Sequence, residues 1–170
     1  MKKALYLFFF IIFTACTEVY FTEIQPSGKK QLKEIPVSLH GWFIEKDGKD
    51  SIHISFRGFD IDDESAILSD SVVLTKWKKN YFLNILDQSK GYWEVYRIRS
   101  LHMDEIELSI IDGDDEETVK KLKTYTKVTS QNTSEGKVDY FVISPSSKVF
   151  KQMVKDGIFK SSVIYSKINP

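Results

Sequence analysis

The 170-residue chain carries 24 basic and 24 acidic side chains, a formal net charge of zero, and its 42% apolar and 28% charged residues are ordinary globular proportions rather than those of a disordered chain. No basic run is present to meet a phosphate backbone, so the sequence predicts no nucleic-acid partner and gives no charge-based attraction to anionic lipid. The single cysteine excludes an intrachain disulfide.

Met1-Lys2-Lys3 is a positively charged start, and Ala4–Phe13 (ALYLFFFIIF) is an unbroken apolar run. As a helix that run would reach about 15 Å, half of the ~30 Å hydrocarbon core of a bilayer. It therefore reads as the apolar region of a signal peptide spanning residues 1–15. Phe13-Thr14-Ala15-Cys16 follows. This resembles the bacterial lipobox, with Phe13 where Leu is usual, and the resemblance implies that Cys16 is lipidated and becomes the mature N-terminus. Several acyl chains on one residue anchor a protein stably. Thr17, rather than Asp, comes next, which by the same resemblance implies the outer membrane of a Gram-negative envelope.

Residues 16–35, with Pro26-Ser27-Gly28 and mixed charge, read as the lipidated cysteine and a tether. From residue 36 to 170 the pattern is that of one β-rich domain. Leu39–Glu45 and Ser51–Phe56 flank Asp47-Gly48, the strongest short hairpin signal. Ala66–Leu68, Val72–Trp77, Asn80–Leu86, Tyr92–Arg99 and Met103–Ile111 are further strands, and Ser89-Lys90-Gly91 is a turn. In the last of these strands Ile106, Leu108 and Ile110 alternate with Glu105, Glu107 and Ser109, which predicts one dry and one wet face. A first helix starts at Asp114 as cap with Glu117 three residues into it. A second has Ser144 as cap, Pro145 at its first position, an apolar stripe of Val149, Phe150, Met153 and Val154, and Gly157 past its end. Lys137–Ile143 and Ser162–Ile168 are strands around it. The predicted fold is α+β, mostly antiparallel: a single curved or barrel-like sheet of about eight strands with two short helices.

The acidic run Asp112–Glu117 lacks the Gly and Glu that an EF-hand needs at Glu117 and Lys123, and reads as a helix start. Asp60, Asp62, Asp63 and Glu64 read as a solvated turn. His40, His53 and His102 show no ligand spacing. The sequence thus nominates no metal site, no cofactor, no catalytic residue and no enzyme activity; Cys16 is taken by the anchor, and no nucleophile elbow is present.

Aromatic residues make up 14% of the chain. Trp42, Phe43, Tyr81, Tyr92, Trp93 and Tyr96 on apparent strands are candidate ligand-binding residues, the plainer reading being that such rings fill the core. Leu39-His40-Gly41-Trp42-Phe43 resembles the opening strand of lipocalin-like (calycin) barrels, although Gly41 and Trp42 are adjacent and no arginine follows Arg99. That resemblance implies a carrier of a small hydrophobic ligand. The lipobox, the Gln25-Pro26 segment, the aromatic strands and Ser144–Lys148 together resemble small lipoproteins of Gram-negative envelopes. This implies an address, not an activity. A permanent anchor combined with the absence of reactive side-chain groupings predicts a non-catalytic interaction or structural role, with the membrane and another envelope protein as partners. Asp50-Ser51-Ile52 and Asp70-Ser71-Val72 resemble sites of O-glycosylation on exported proteins.

Overall fold

The computed structural model describes residues 17–46, 48, 50–61, 64–102 and 104–168; Cys16 and the segment read as a signal peptide lie outside them. The described residues form thirteen strands: β1 (Glu18–Phe21), β2 (Gln31–Leu32), β3 (Gly41–Glu45), β4 (Ser51–Ile54), β5 (Gly58–Ile61), β6 (Glu64–Ile67), β7 (Val72–Trp77), β8 (Asn80–Asp87), β9 (Tyr92–His102), β10 (Glu105–Ile110), β11 (Val128–Asn132), β12 (Val138–Ile143) and β13 (Ser161–Ile168). Two helices, α1 (Glu116–Tyr125) and α2 (Ser147–Lys155), complete the fold. It is mostly antiparallel β, as expected, with a curled half-barrel sheet, but thirteen strands replace the expected eight or so. The four not foreseen are β1, β2, β5 and β11.

The sheet runs β11-β12-β1-β9-β10-β13-β3-β4-β5-β6, and β8, β7 and β2 continue from the other edge of β9. Strand β9 is the axis of this arrangement. Along one edge it pairs with β8 from Tyr92 to Arg99. Its other edge is shared by β1, through Phe21 opposite Trp93, and by β10. Among the described residues the one parallel pairing joins β1 to β12.

Within residues 17–35, read as a tether, Glu18–Phe21 and Gln31–Leu32 are strands of the sheet. Val19, Tyr20 and Phe21 are buried, and Pro26-Ser27-Gly28 marks a loop within the domain rather than a flexible linker. Asn84, itself buried, holds the loop: its Oδ1 accepts from the Gln25 amide at 2.7 Å and its Nδ2 donates to the Gln25 carbonyl at 3.1 Å. Thr75 Oγ1 donates to the same carbonyl at 2.6 Å. Buried backbone groups outside a ladder need such partners.

Two cores result, one on each face of the central strands. Inside the curl, Tyr81, Leu83 and Ile85 of β8 meet Tyr96 and Ile98 of β9, Leu108 of β10, Phe43 of β3 and Ile52 and Ile54 of β4. On the other face Phe82, Val95 and Phe21 pack under the helices with Phe150, Met153 and Phe159. The Phe150 ring meets Phe82 edge-on at 5.1 Å and Phe21 at 5.8 Å. Strand β8 is therefore buried on both sides, which explains its nearly continuous apolar run. The face of β10 expected to be wet is covered: Ser109 is buried, and Glu107 is held by Arg97 under the Ile158–Phe159 segment.

Both helix starts are displaced from the residues expected. Asp115, not Asp114, caps α1 by accepting from the Glu117 amide, because Asp114 is engaged with Thr17. Ser146, not Ser144, caps α2, and Ser144 instead receives a hydrogen bond from the Thr22 hydroxyl at 2.8 Å. Gly157, at φ 71°, follows α2 in the left-handed conformation that terminates helices.

Candidate functional site

The six candidate aromatic residues are not gathered around one cavity. Phe43, Tyr81 and Tyr96 are core residues inside the curl. The void there, lined by Ile52, Ile54, Phe59, Leu83, Ile98, Ile106 and Leu108, measures about 10 Å³, room for at most one water. Trp93 packs against the second core. Tyr92 lies beside Tyr140 at 6.5 Å between ring centres. Trp42 is on the outside of the sheet, 43% exposed, stacked on His53 at 4.4 Å.

Tyr96 belongs to a buried polar knot. Its hydroxyl donates to Glu94, which also lies 3.3 Å from the Tyr20 hydroxyl. The Tyr20 hydroxyl donates to Glu18 at 2.6 Å and accepts from the Lys90 ammonium at 2.7 Å. Lys90 pairs with Glu18 at 3.0 Å and Asp87 at 3.5 Å, and lies over the rings of Tyr20 and Tyr140. One ammonium thus serves two carboxylates, and Glu94 is held by the two phenols instead. Burial pushes the Glu94 carboxyl up to about 7, the charges of Glu18 and Asp87 add to that, and the bond from Tyr96 opposes it. Burial, with Glu94 next in effect, likewise holds the Tyr20 and Tyr96 phenols above their ordinary range. With Tyr20 fully buried, the knot locks β1 onto β8 and β9 rather than offering a surface.

The histidines and acids stand apart. His53 Nδ1 lies 3.0 Å from Asp60, whose other oxygen receives the Ser65 hydroxyl. The acid is in the middle, so the serine oxygen does not meet the imidazole and gains no general base. The bond from Ser65 holds the Asp60 carboxyl below its usual value against the effect of burial, with His53 contributing. His40 bonds the Ile35 carbonyl at 2.8 Å. In the acidic run, Asp112 accepts from the Asp114 amide, Asp114 from the Thr17 amide, and Asp115 caps α1 and pairs with Lys160. Asp62 and Asp63 lie outside the described residues. Of the residues resembling glycosylation sites, Ser51 begins β4 half-buried and Ser71 sits half-buried in the turn before β7.

The arrangement with binding chemistry is a basic cleft of about 440 Å³, lined by Trp77, Lys78, Lys79, Asn80, Arg97, Arg99, Val154 and Lys155. Three separate elements build it. Trp77 ends β7, and Lys78-Lys79 forms the turn into β8. Arg97 and Arg99 are two residues apart on β9, so they share one face of the strand. Lys155 ends α2. Arg97 is buried and fixed, its Nε donating to Ser109 at 2.9 Å and its Nη2 to Glu107 at 3.1 Å and to the Phe159 carbonyl at 3.3 Å. Arg99 Nε reaches the same Glu107 oxygen at 3.0 Å. Burial lowers the Arg97 guanidinium somewhat, opposed by Glu107 and reinforced by the like charge of Arg99.

Glu107 is the one acid paired with these cations among the described residues. Lys78, Lys79 and Lys155 are exposed and make no ion pair with a described carboxylate. The Asp156 carboxylate, next to Lys155, is occupied by Tyr125 and Gln152. Sequence reasoning missed this site because its charges come from positions 78 to 155 in a chain of zero net charge. Its local traces are the Lys78-Lys79 pair and the alternation of Arg97 and Arg99. Comparison with known proteins gives no match: no family model, no curated protein and no solved structure resembles the chain at a significant level.

Proposed function

We propose that this chain is an exported lipoprotein of a Gram-negative cell envelope, fixed through Cys16 to a membrane, with Thr17 after the cysteine favouring the outer one. Its β-rich domain works there by binding or structural support rather than by catalysis. The observation that carries the reading is how close the domain lies to the anchor residue. Lys2-Lys3, the apolar run to Phe13 and Ala15-Cys16 supply the export and lipidation pattern. Thr17, one residue further, is already seated in the fold through Asp114, and β1 begins at Glu18. Acyl chains on Cys16 would hold the sheet against the bilayer surface with almost no slack.

Growth of the producing cells with a clickable palmitate analogue, followed by fractionation, tests this. The wild-type chain takes the label and sediments with outer membranes, and Cys16→Ala does neither. An unlabelled wild-type chain in the soluble periplasmic fraction would overturn the proposal.

A further inference from the structure

We propose that the basic cleft between the β7–β8 turn and the end of α2 is a binding site for a compact phosphorylated ligand. Five cationic side chains line about 440 Å³ of space against a single paired carboxylate, Glu107. Glu107 offsets only part of the charge of Arg97 and Arg99, and Lys78, Lys79 and Lys155 make no ion pair with a described carboxylate, so an excess of like charge remains that suits a multiply charged anion more than it suits the fold alone. A volume of this size fits a small molecule or a headgroup rather than a polymer. Trp77 offers an aromatic wall beside the charges, and Arg99 keeps exposed donors in the planar geometry that grips phosphate.

The turn itself carries an independent sign. Lys78 has φ 55°, the left-handed region, and is the one non-glycine residue there among those described. A lysine in that conformation is disfavoured, and two-residue hairpin turns normally place Asn or Gly in it. Here Lys-Lys occupies the turn, so the charge stands where conformational preference alone would select another residue.

The cleft also connects to the start of the domain. Arg97 bonds the Phe159 carbonyl, the neighbouring Lys160 pairs with Asp115, and the adjacent Asp114 holds Thr17. A phosphate group could reach the site from a free metabolite or from a lipid headgroup. The site rests on the cleft alone, and only the headgroup source depends on the anchored reading, which palmitate labelling tests separately.

Isothermal titration of the full chain in nonionic detergent decides the matter, using inorganic pyrophosphate in one arm and micelles doped with phosphatidic acid or phosphatidylcholine in the other. Saturable pyrophosphate binding without a response to phosphatidic acid identifies a soluble ligand. A response to phosphatidic acid, but to neither phosphatidylcholine nor pyrophosphate, identifies a headgroup. Either signal weakens as salt is raised, since exposed charges are screened beyond about 8 Å at physiological ionic strength. Lys78→Gly with Lys155→Gln lowers affinity roughly tenfold. Lys78→Gly alone raises the melting temperature by relieving the turn, yet weakens binding about threefold, so lost affinity cannot be put down to misfolding. No saturable heat in either arm, or affinity unchanged in the double variant, overturns the proposal.

Discussion

The backbone amide of Thr17 donates to the carboxylate of Asp114 at 2.9 Å, joining residues 97 positions apart. A return contact accompanies it: the Gly113 amide donates to the Thr17 carbonyl at 3.1 Å. Any side chain at 113 would put its Cβ 2.2 Å from that carbonyl oxygen, so glycine is required for the approach. Asp114→Ala should therefore cost about 1 kcal/mol, the usual net value of such a bond, and Gly113→Ala about 2 kcal/mol through forced displacement. Hydrogen exchange reads the location of the effect. Faster exchange at Val19–Phe21 in both variants is expected, and unchanged protection there would show that β1 is held by its strand pairing alone.

Asn84 gives a sharper case, because it is fully buried and serves the Gln25 backbone in both directions. Leucine has the same branched arrangement of heavy atoms but leaves an amide and, in part, a carbonyl without partners; Thr75 keeps one bond to the latter. Asn84→Leu should destabilise by about 3 kcal/mol. Urea unfolding checks this through a lower midpoint at unchanged slope. A gain in stability would mean that water satisfies the Gln25 groups.

These two contacts also show why the start of the domain was not legible in the sequence. Glu18–Phe21 is short and followed by Pro26-Ser27-Gly28, the marks of a linker; what makes it a strand is parallel pairing with β12, more than a hundred residues later. Strand β7, by contrast, was legible to the residue, because Val72–Trp77 lies between turn signals and its own hairpin partner follows directly. The helix caps slipped by one or two positions because tertiary contacts claimed Asp114 and Ser144 first. The wet face assigned to β10 failed for a related reason: Ser109 and Glu107 are polar, but their partner Arg97 is buried with them. For the cleft, zero net charge concealed a local excess that arises only when the β7–β8 turn, β9 and α2 come together.

Glu94 makes stability depend on pH in a direction opposite to that of a salt-bridged acid. Its folded carboxyl titrates at about 7 against an ordinary value of 4.5. Between those values the folded chain binds the proton more tightly than the unfolded chain. The stabilising contribution is complete below 4.5 and is lost as pH rises through 7. The loss is on the order of 3 kcal/mol. Glu94→Gln, which keeps the shape and never ionises, should abolish this component. Thermal unfolding across the window checks it: the wild type loses stability toward neutral pH, while the variant stays nearly level. Parallel curves for both proteins would assign the knot no role in the pH response.

Glu107 separates the structural role of the arginines from the binding role proposed for the cleft. It sits between buried Arg97 and exposed Arg99 and neutralises part of the local charge. Glu107→Gln removes that charge while keeping a hydrogen-bond acceptor. Stability should fall by about 2 kcal/mol, less than for deletion of a buried partner because Arg97 retains Ser109 and the Phe159 carbonyl. Pyrophosphate affinity should move the other way, rising several-fold as the cleft gains one net positive charge. Opposite signs in unfolding and titration are hard to obtain from a general loosening of the fold, which lowers both. A fall in affinity together with stability would mean that Glu107 positions Arg99 for the ligand, and that its geometric role outweighs the charge it contributes.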